Sequence, residues 1–106
     1  MKKVVNRKIY DIKKAQIIHT WTNGKPKKSE YYEEESLYIT EKGRYFLLGF
    51  GGNMTMFYLA EVSSMKFGNY RLLPITKEKA MDWLESHEGD KILIDTLMFK
   101  EMVDEG

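Results

Sequence analysis

The sequence has no cysteine, two prolines and two histidines, and it holds no apolar run of the length a membrane span needs. Without cysteine there are no disulfides, no thiolate nucleophile and no cysteine-ligated metal, a composition that fits a reducing cytoplasm. The opening MKKVVNRKIYD carries lysines but lacks the apolar stretch of a secretion signal. A soluble cytoplasmic protein with no membrane association is expected. A net charge of +1 is too close to neutral for a protein whose whole surface imitates DNA, which would be strongly acidic.

What is present is enough for one domain spanning residues 1–106, with a modest core and no covalent staples. The near-zero charge hides a polarity along the chain. Residues 1–28 hold nine basic side chains against Asp11 alone, and the remainder is acidic by seven charges. Such asymmetry favours a nucleic-acid or acidic-protein partner for the basic part. The competing arrangement has the acidic run Glu33-Glu34-Glu35 lying beside the basic loop and neutralising it.

The periodicity is that of an α+β fold: an antiparallel sheet of about four to six strands, followed by one or two C-terminal helices packed on one face. Around Asn6-Arg7, VVNRKIY reads as a small hairpin or one irregular edge strand. Between Lys14 and Thr22, strict alternation puts Ala15, Ile17, His19 and Trp21 on one face. Asn23-Gly24-Lys25-Pro26 breaks that strand and leaves Lys25, Lys27 and Lys28 on an exposed loop. Glu30–Thr40 resumes as a strand whose glutamates reach a hydrated rim, and Glu41-Lys42-Gly43 turns the chain into Arg44–Phe50. Apolar on both faces, Arg44–Phe50 reads as the central strand.

Gly49, Gly51 and Gly52 end that strand and suggest a bulge or close backbone approach, followed by a turn. They are no phosphate loop, because the lysine and hydroxyl residue of such a loop do not follow. Met54–Val62, apolar at nearly every position, fits a strand or a short helix, the strand being preferred, with Ser63-Ser64 and Phe67-Gly68-Asn69 as loops. Tyr70–Ile75 reads as an edge strand because Pro74 cannot donate into a central ladder. Thr76 is the expected N-cap of a helix presenting Ala80, Trp83, Leu84 and His87 on one face, with Gly89 as its stop. Asp90 then caps a second helix with Ile94, Leu97, Met98 and Met102 in register.

Candidate chemistry is sparse. His19, flanked by apolar strand neighbours, reads as a packed residue, and His87 as a cation near a helix C-terminus. Catalysis by them requires that the two meet in a supported site. Adjacent residues of the Glu33–Glu35 run point to opposite faces and cannot converge on a metal without other ligands, so no metal and no cofactor is expected. Trp21 and Tyr45 read as core. Tyr31 and Tyr32 read as surface aromatics, which with Lys25, Lys27, Lys28 and Arg44 form a basic and aromatic partner-binding patch. Aromatics among cations suit stacked bases and phosphates, or a protein interface. Glu33, Glu34 and Glu35 form an acidic counterpart.

Four segments carry a family resemblance: Tyr10-Asp11; Glu35-x-Leu37-Tyr38-x-Thr40; Lys42-Gly43-Arg44-Tyr45-Phe46-Leu47-x-Gly49-x-Gly51-Gly52-x-Met54; and Leu73-Pro74-Ile75-Thr76 leading to Trp83. Across roughly residues 8–86 the chain resembles the small accessory proteins carried by phages, plasmids and conjugative elements of Gram-positive and related bacteria. That resemblance implies a mobile-element accessory rather than a housekeeping enzyme, and some compact proteins of such elements are anti-CRISPR inhibitors. No functional residue transfers with it. The expectation is a non-catalytic protein, monomer or homodimer, that binds and inhibits a host defence nuclease or its guide-RNA complex, a CRISPR effector foremost. The alternative is a nucleic-acid-binding accessory of phage or plasmid replication, transfer or transcription.

Overall fold

In a computed structural model, residues 2–52, 65–67 and 70–106 are described, the middle segment by its backbone alone. The chain folds as α+β, with antiparallel sheets followed by helices.

Strands β1 (Lys2–Val5) and β2 (Lys8–Asp11) form the hairpin anticipated at Asn6-Arg7. Both turn residues have positive φ, 51° and 62°, as in the mirror-image two-residue turn whose twist matches the strands. The main sheet has the order β3 (Gln16–Thr22), β4 (Glu33–Ile39), β5 (Tyr45–Gly51), β7 (Tyr70–Ile75), β6 (Met65–Phe67). As its apolar faces require, β5 is central. The turn before it is closed by Thr40, whose N–H donates to the Arg44 carbonyl at 2.8 Å and whose Oγ1 accepts from the Arg44 N–H at 3.0 Å. Gly43 takes φ +82° there, where a side chain would be strained.

Each face of β5 has its own cover. Helix α1 (Lys77–Ser86), with the shorter α2 (Asp90–Asp95) and the one-turn α3 (Leu97–Lys100), lies on the face carrying Leu37 and Tyr45. Leu37, Ala80, Leu84 and Phe99 are wholly buried there. The opposite face buries Phe46 and Leu72 under Tyr10 of the hairpin, whose ring meets Phe46 edge-on at 5.6 Å. Thr76 caps α1, its Oγ1 accepting from the Lys79 N–H at 3.2 Å.

Several expectations are corrected. The alternation in β3 breaks at Ile18, where the pairing slips between Ile17↔Tyr38 and His19↔Leu37. This extra residue sends Ala15 toward the hairpin side, while Ile18 and Trp21 pack on the helix side. The bulge anticipated among the β5 glycines is absent, since pairing with β4 and β7 runs without a slip. Gly52 instead allows close approach: a Cβ there would stand 2.6 Å from the carbonyl oxygens of both Ser29 and Glu30. β7 is flanked by β5 and, over Tyr70–Leu72, by β6, so that part is no edge; among the described residues no strand pairs with Leu73–Ile75 on the side away from β5. Pro74 falls in that part, where its missing N–H breaks no described pairing. Phe67 belongs to β6 rather than a loop. The anticipated strand at Met54–Val62 lies outside the described residues.

In the C-terminal segment, extended backbone at Thr96 (φ −94°, ψ 127°) divides α2 from α3. Leu93 and Phe99 therefore face the core, while Ile94, Leu97 and Met102 are exposed. Asp90 lies in the first turn, and Gly89 holds the cap position without a side-chain bond.

Candidate functional site

The loop between β3 and β4 is organised by Asn23. Its Nδ2 donates to the Tyr31 carbonyl at 2.8 Å, and its Oδ1 accepts from the Lys25 and Glu33 amides at 3.2 Å each. Ser29 adds a second tie, its Oγ accepting from the Tyr31 N–H at 3.0 Å. These bonds hold the loop's two ends together while Lys25, Lys27 and Lys28 project into solvent. Tyr31 stands with them, 53% exposed. Among the described residues no ion pair joins these lysines to Glu33, Glu34 or Glu35.

Two residues assigned to this patch lie elsewhere. Tyr32 is buried at 6% exposure, and its hydroxyl donates to Glu34 Oε1 at 2.7 Å. Burial is the main reason its phenol is pushed up to about 12, with the Glu34 hydrogen bond and charge acting the same way. Arg44 follows the turn at the other end of β4 and β5. The six residue steps from Glu33 to Ile39 separate the two ends by about 20 Å.

The acidic run divides as well. Alternation turns Glu34 toward Tyr32, whereas Glu35 points under the helix with only 15% of its side chain exposed. Its tolerance of burial comes from its partners. Trp83 Nε1 donates to Oε1 at 2.9 Å; His87 Nε2, 3.4 Å from Oε2, adds to this when the ring is protonated on both nitrogens. This corrects the expectation of three hydrated glutamates on a rim: a buried carboxylate needs such compensation, and α1 supplies it.

His19 and His87 lie far apart in sequence, yet the fold brings them together. His19 Nε2 lies 2.9 Å from the His87 carbonyl; since a carbonyl only accepts, that nitrogen carries the proton. His87 stacks on Trp83 with centroids 4.7 Å apart and meets Trp21 edge-on at 4.8 Å. His87 Nδ1 lies 2.8 Å from the Trp83 carbonyl and 2.9 Å from Ser86 Oγ. The carbonyl places the proton on Nδ1, so this nitrogen is no base for the adjacent serine, and Ser86 Oγ is itself within reach of the Asp82 and Trp83 carbonyls. The serine, histidine and glutamate thus stand in sequence without the polarity of a nucleophilic triad. Their bonds clamp the end of α1 onto β3 and β4.

No signal in the linear sequence links Glu35 to Trp83 and His87, which lie about fifty residues away. Register extends the same row, since Glu35 pairs with Gly49 and Gly49 with Arg71. Arg71 is 6% exposed, and its Nε has no hydrogen-bond partner among the described residues. Among those residues no group of three histidine, aspartate or glutamate side chains is placed to hold a metal ion, and no helix is long and apolar enough to cross a membrane. No protein-family model, no curated protein and no solved structure matches the chain.

Proposed function

We propose that this is a non-catalytic binding protein of a mobile genetic element that inhibits a host defence nuclease, a CRISPR effector in particular, and so acts in the cytoplasm. One observation carries the reading: three lysines and Tyr31 are displayed on a loop whose backbone is tied by Asn23 and Ser29, and among the described residues no carboxylate forms an ion pair with those lysines. A pre-organised cationic loop with one exposed aromatic suits an acidic protein surface, where charge speeds encounter and the aromatic anchors. The resemblance to accessory proteins of phages, plasmids and conjugative elements supports the choice of partner. Glu34 and Glu35 are engaged within the fold and take no part; the proposed contact is basic rather than bipolar.

The test is a pull-down and cleavage assay against the defence nucleases of the parent host, using the unaltered chain and the triple variant Lys25→Gln, Lys27→Gln, Lys28→Gln. Binding and inhibition by the unaltered chain, weakened at least tenfold in the variant, are expected. Failure to bind any of the nucleases would remove the proposal.

Tyr31 beside those lysines also favours a second reading, a nucleic-acid-binding accessory of replication, transfer or transcription. It predicts retardation of free RNA or DNA that fades as salt rises and is lost in the same variant. The absence of retardation at low salt would sink it.

A further inference from the structure

At the end of the sheet away from the lysine loop, the hairpin turn, the start of β5 and the start of α1 surround a cleft of about 560 Å³. Its rim carries three cations from segments far apart in sequence: Lys8, Arg44 and Lys77. Tyr10, Tyr45, Ile39 and Ile75 supply its aromatic and aliphatic lining, and no aspartate or glutamate lines it. Both tyrosines are buried, at 4% and 7% exposure, so the cations stand over a packed, low-dielectric floor. Among the described residues none of the three cations forms an ion pair. Lys77 is held in part by the Phe99 ring, its Nζ 5.8 Å from the centroid.

We propose that this cleft binds a phosphate monoester. Like charges gathered around a concave, partly apolar wall focus a positive potential there. Three cations without an acid exceed what one carboxylate would neutralise, whereas a monoester dianion matches them more closely. Arg44 offers a planar fork for two phosphate oxygens, and Lys8 and Lys77 act as point charges. The lining of Tyr10, Tyr45, Ile39 and Ile75 gives the esterified group an apolar surface. The turns that shape the rim place Asn6 and Gly43 in the positive-φ conformations such turns need.

The proposal is independent of the lysine loop, which lies at the far end of β4 and β5. It is tested by amide chemical-shift titration of the whole chain at fixed ionic strength with inorganic phosphate and with adenosine monophosphate. A 5′-phosphorylated oligonucleotide and the same oligonucleotide with a 5′-hydroxyl separate a small-molecule source from a nucleic-acid end. Saturable shifts confined to residues 6–10, 43–45 and 75–78 are expected with both phosphate compounds. Half-saturation should fall at about 1 mM or below for adenosine monophosphate. The doubly exposed pair Lys8→Gln, Arg44→Gln should weaken it at least tenfold with an otherwise unchanged spectrum. Lys25→Gln, Lys27→Gln, Lys28→Gln should bind as the unaltered chain does.

Equal shifts from chloride at matched ionic strength would overturn the proposal. So would unchanged affinity in the Lys8, Arg44 variant. Equal binding of the hydroxyl and phosphate-ended oligonucleotides would show that a diester backbone is recognised, and would overturn the monoester assignment.

Discussion

The indole N–H of Trp83 donates to Glu35 Oε1 across 2.9 Å, joining the middle of α1 to the strand beside the centre of the sheet. Both groups are largely withdrawn from water, Trp83 at 6% exposure and the Glu35 side chain at 15%, so each depends on the other for its hydrogen bond. Neither the carboxylate nor the indole would be economical in that position alone.

Removing the carboxylate should therefore cost more than removing the average surface charge. Glu35→Ala is expected to lower stability by about 1–3 kcal/mol, because it leaves the indole donor without an acceptor. Glu35→Gln, which keeps an acceptor oxygen, should cost less. Urea unfolding of Glu35→Ala, Trp83→Phe and the double variant should show a coupling of at least about 0.5 kcal/mol. Additive effects would mean that the bond contributes nothing.

Two adjacent substitutions after α1 should act in opposite directions. Glu88 adopts φ +63°, a left-handed conformation that costs a side-chain-bearing residue about 1–2 kcal/mol, so Glu88→Gly should raise the melting temperature. Gly89 has an ordinary negative φ, but its N–H donates to the Leu84 carbonyl at 2.7 Å, and a Cβ there would come within 2.5 Å of Leu84 Cδ2. Gly89→Ala should lower the melting temperature. The reverse pattern in thermal unfolding would contradict this account of the helix end.

Tyr32 supplies a pH prediction. Its folded-state value is raised from 10.0 to about 12, chiefly by burial, and the neutral phenol is the favoured form. The resulting stabilisation is fully present below pH 10, where both folded and unfolded chains are protonated. It is lost as pH rises through about 12. Denaturation between these limits should show stability falling with pH, and Tyr32→Phe should flatten that fall. An unchanged slope in the variant would assign the alkaline sensitivity to other groups.

The lysine loop should be dispensable to the fold. Lys25, Lys27 and Lys28 are exposed and make no ion pair among the described residues. Their joint replacement by Gln should change unfolding free energy by no more than about 0.5 kcal/mol per site. In contrast, Asn23→Ala removes the hydrogen bonds to Lys25, Tyr31 and Glu33 and should lower stability by about 1 kcal/mol or more. Chemical denaturation of the two variants separates display from support.

Legibility in the sequence followed the range of the interactions. The Gly43 turn and the Thr76 cap rest on residues a few positions apart, and the sequence marks them directly; around Asn6-Arg7 it allowed a hairpin or an irregular edge strand, and the structure has the hairpin. Ala80, Trp83 and Leu84 were likewise readable as one helical face. The slip at Ile18 was hidden, because Ile17 and Ile18 are equally apolar and only pairing with β4 decides which one is extra. The split at Thr96 was hidden for a related reason: Leu93, Ile94, Leu97, Met98 and Phe99 admit more than one face, and packing on the sheet chose Leu93 and Phe99.

By itself the sequence determined an α+β chain with β5 at its centre, the turn that leads into β5, and an exposed basic loop between β3 and β4. Periodicity and turn chemistry are local, and they survive without knowledge of neighbours. Tertiary structure alone decided that Tyr32 is buried, that Glu35 leaves the acidic run to meet Trp83 and His87, and that Arg44 joins Lys8 and Lys77 rather than the lysine loop. Each of those outcomes depends on which strand and helix ends meet in space, and no residue carries that information before the sheet has closed around it.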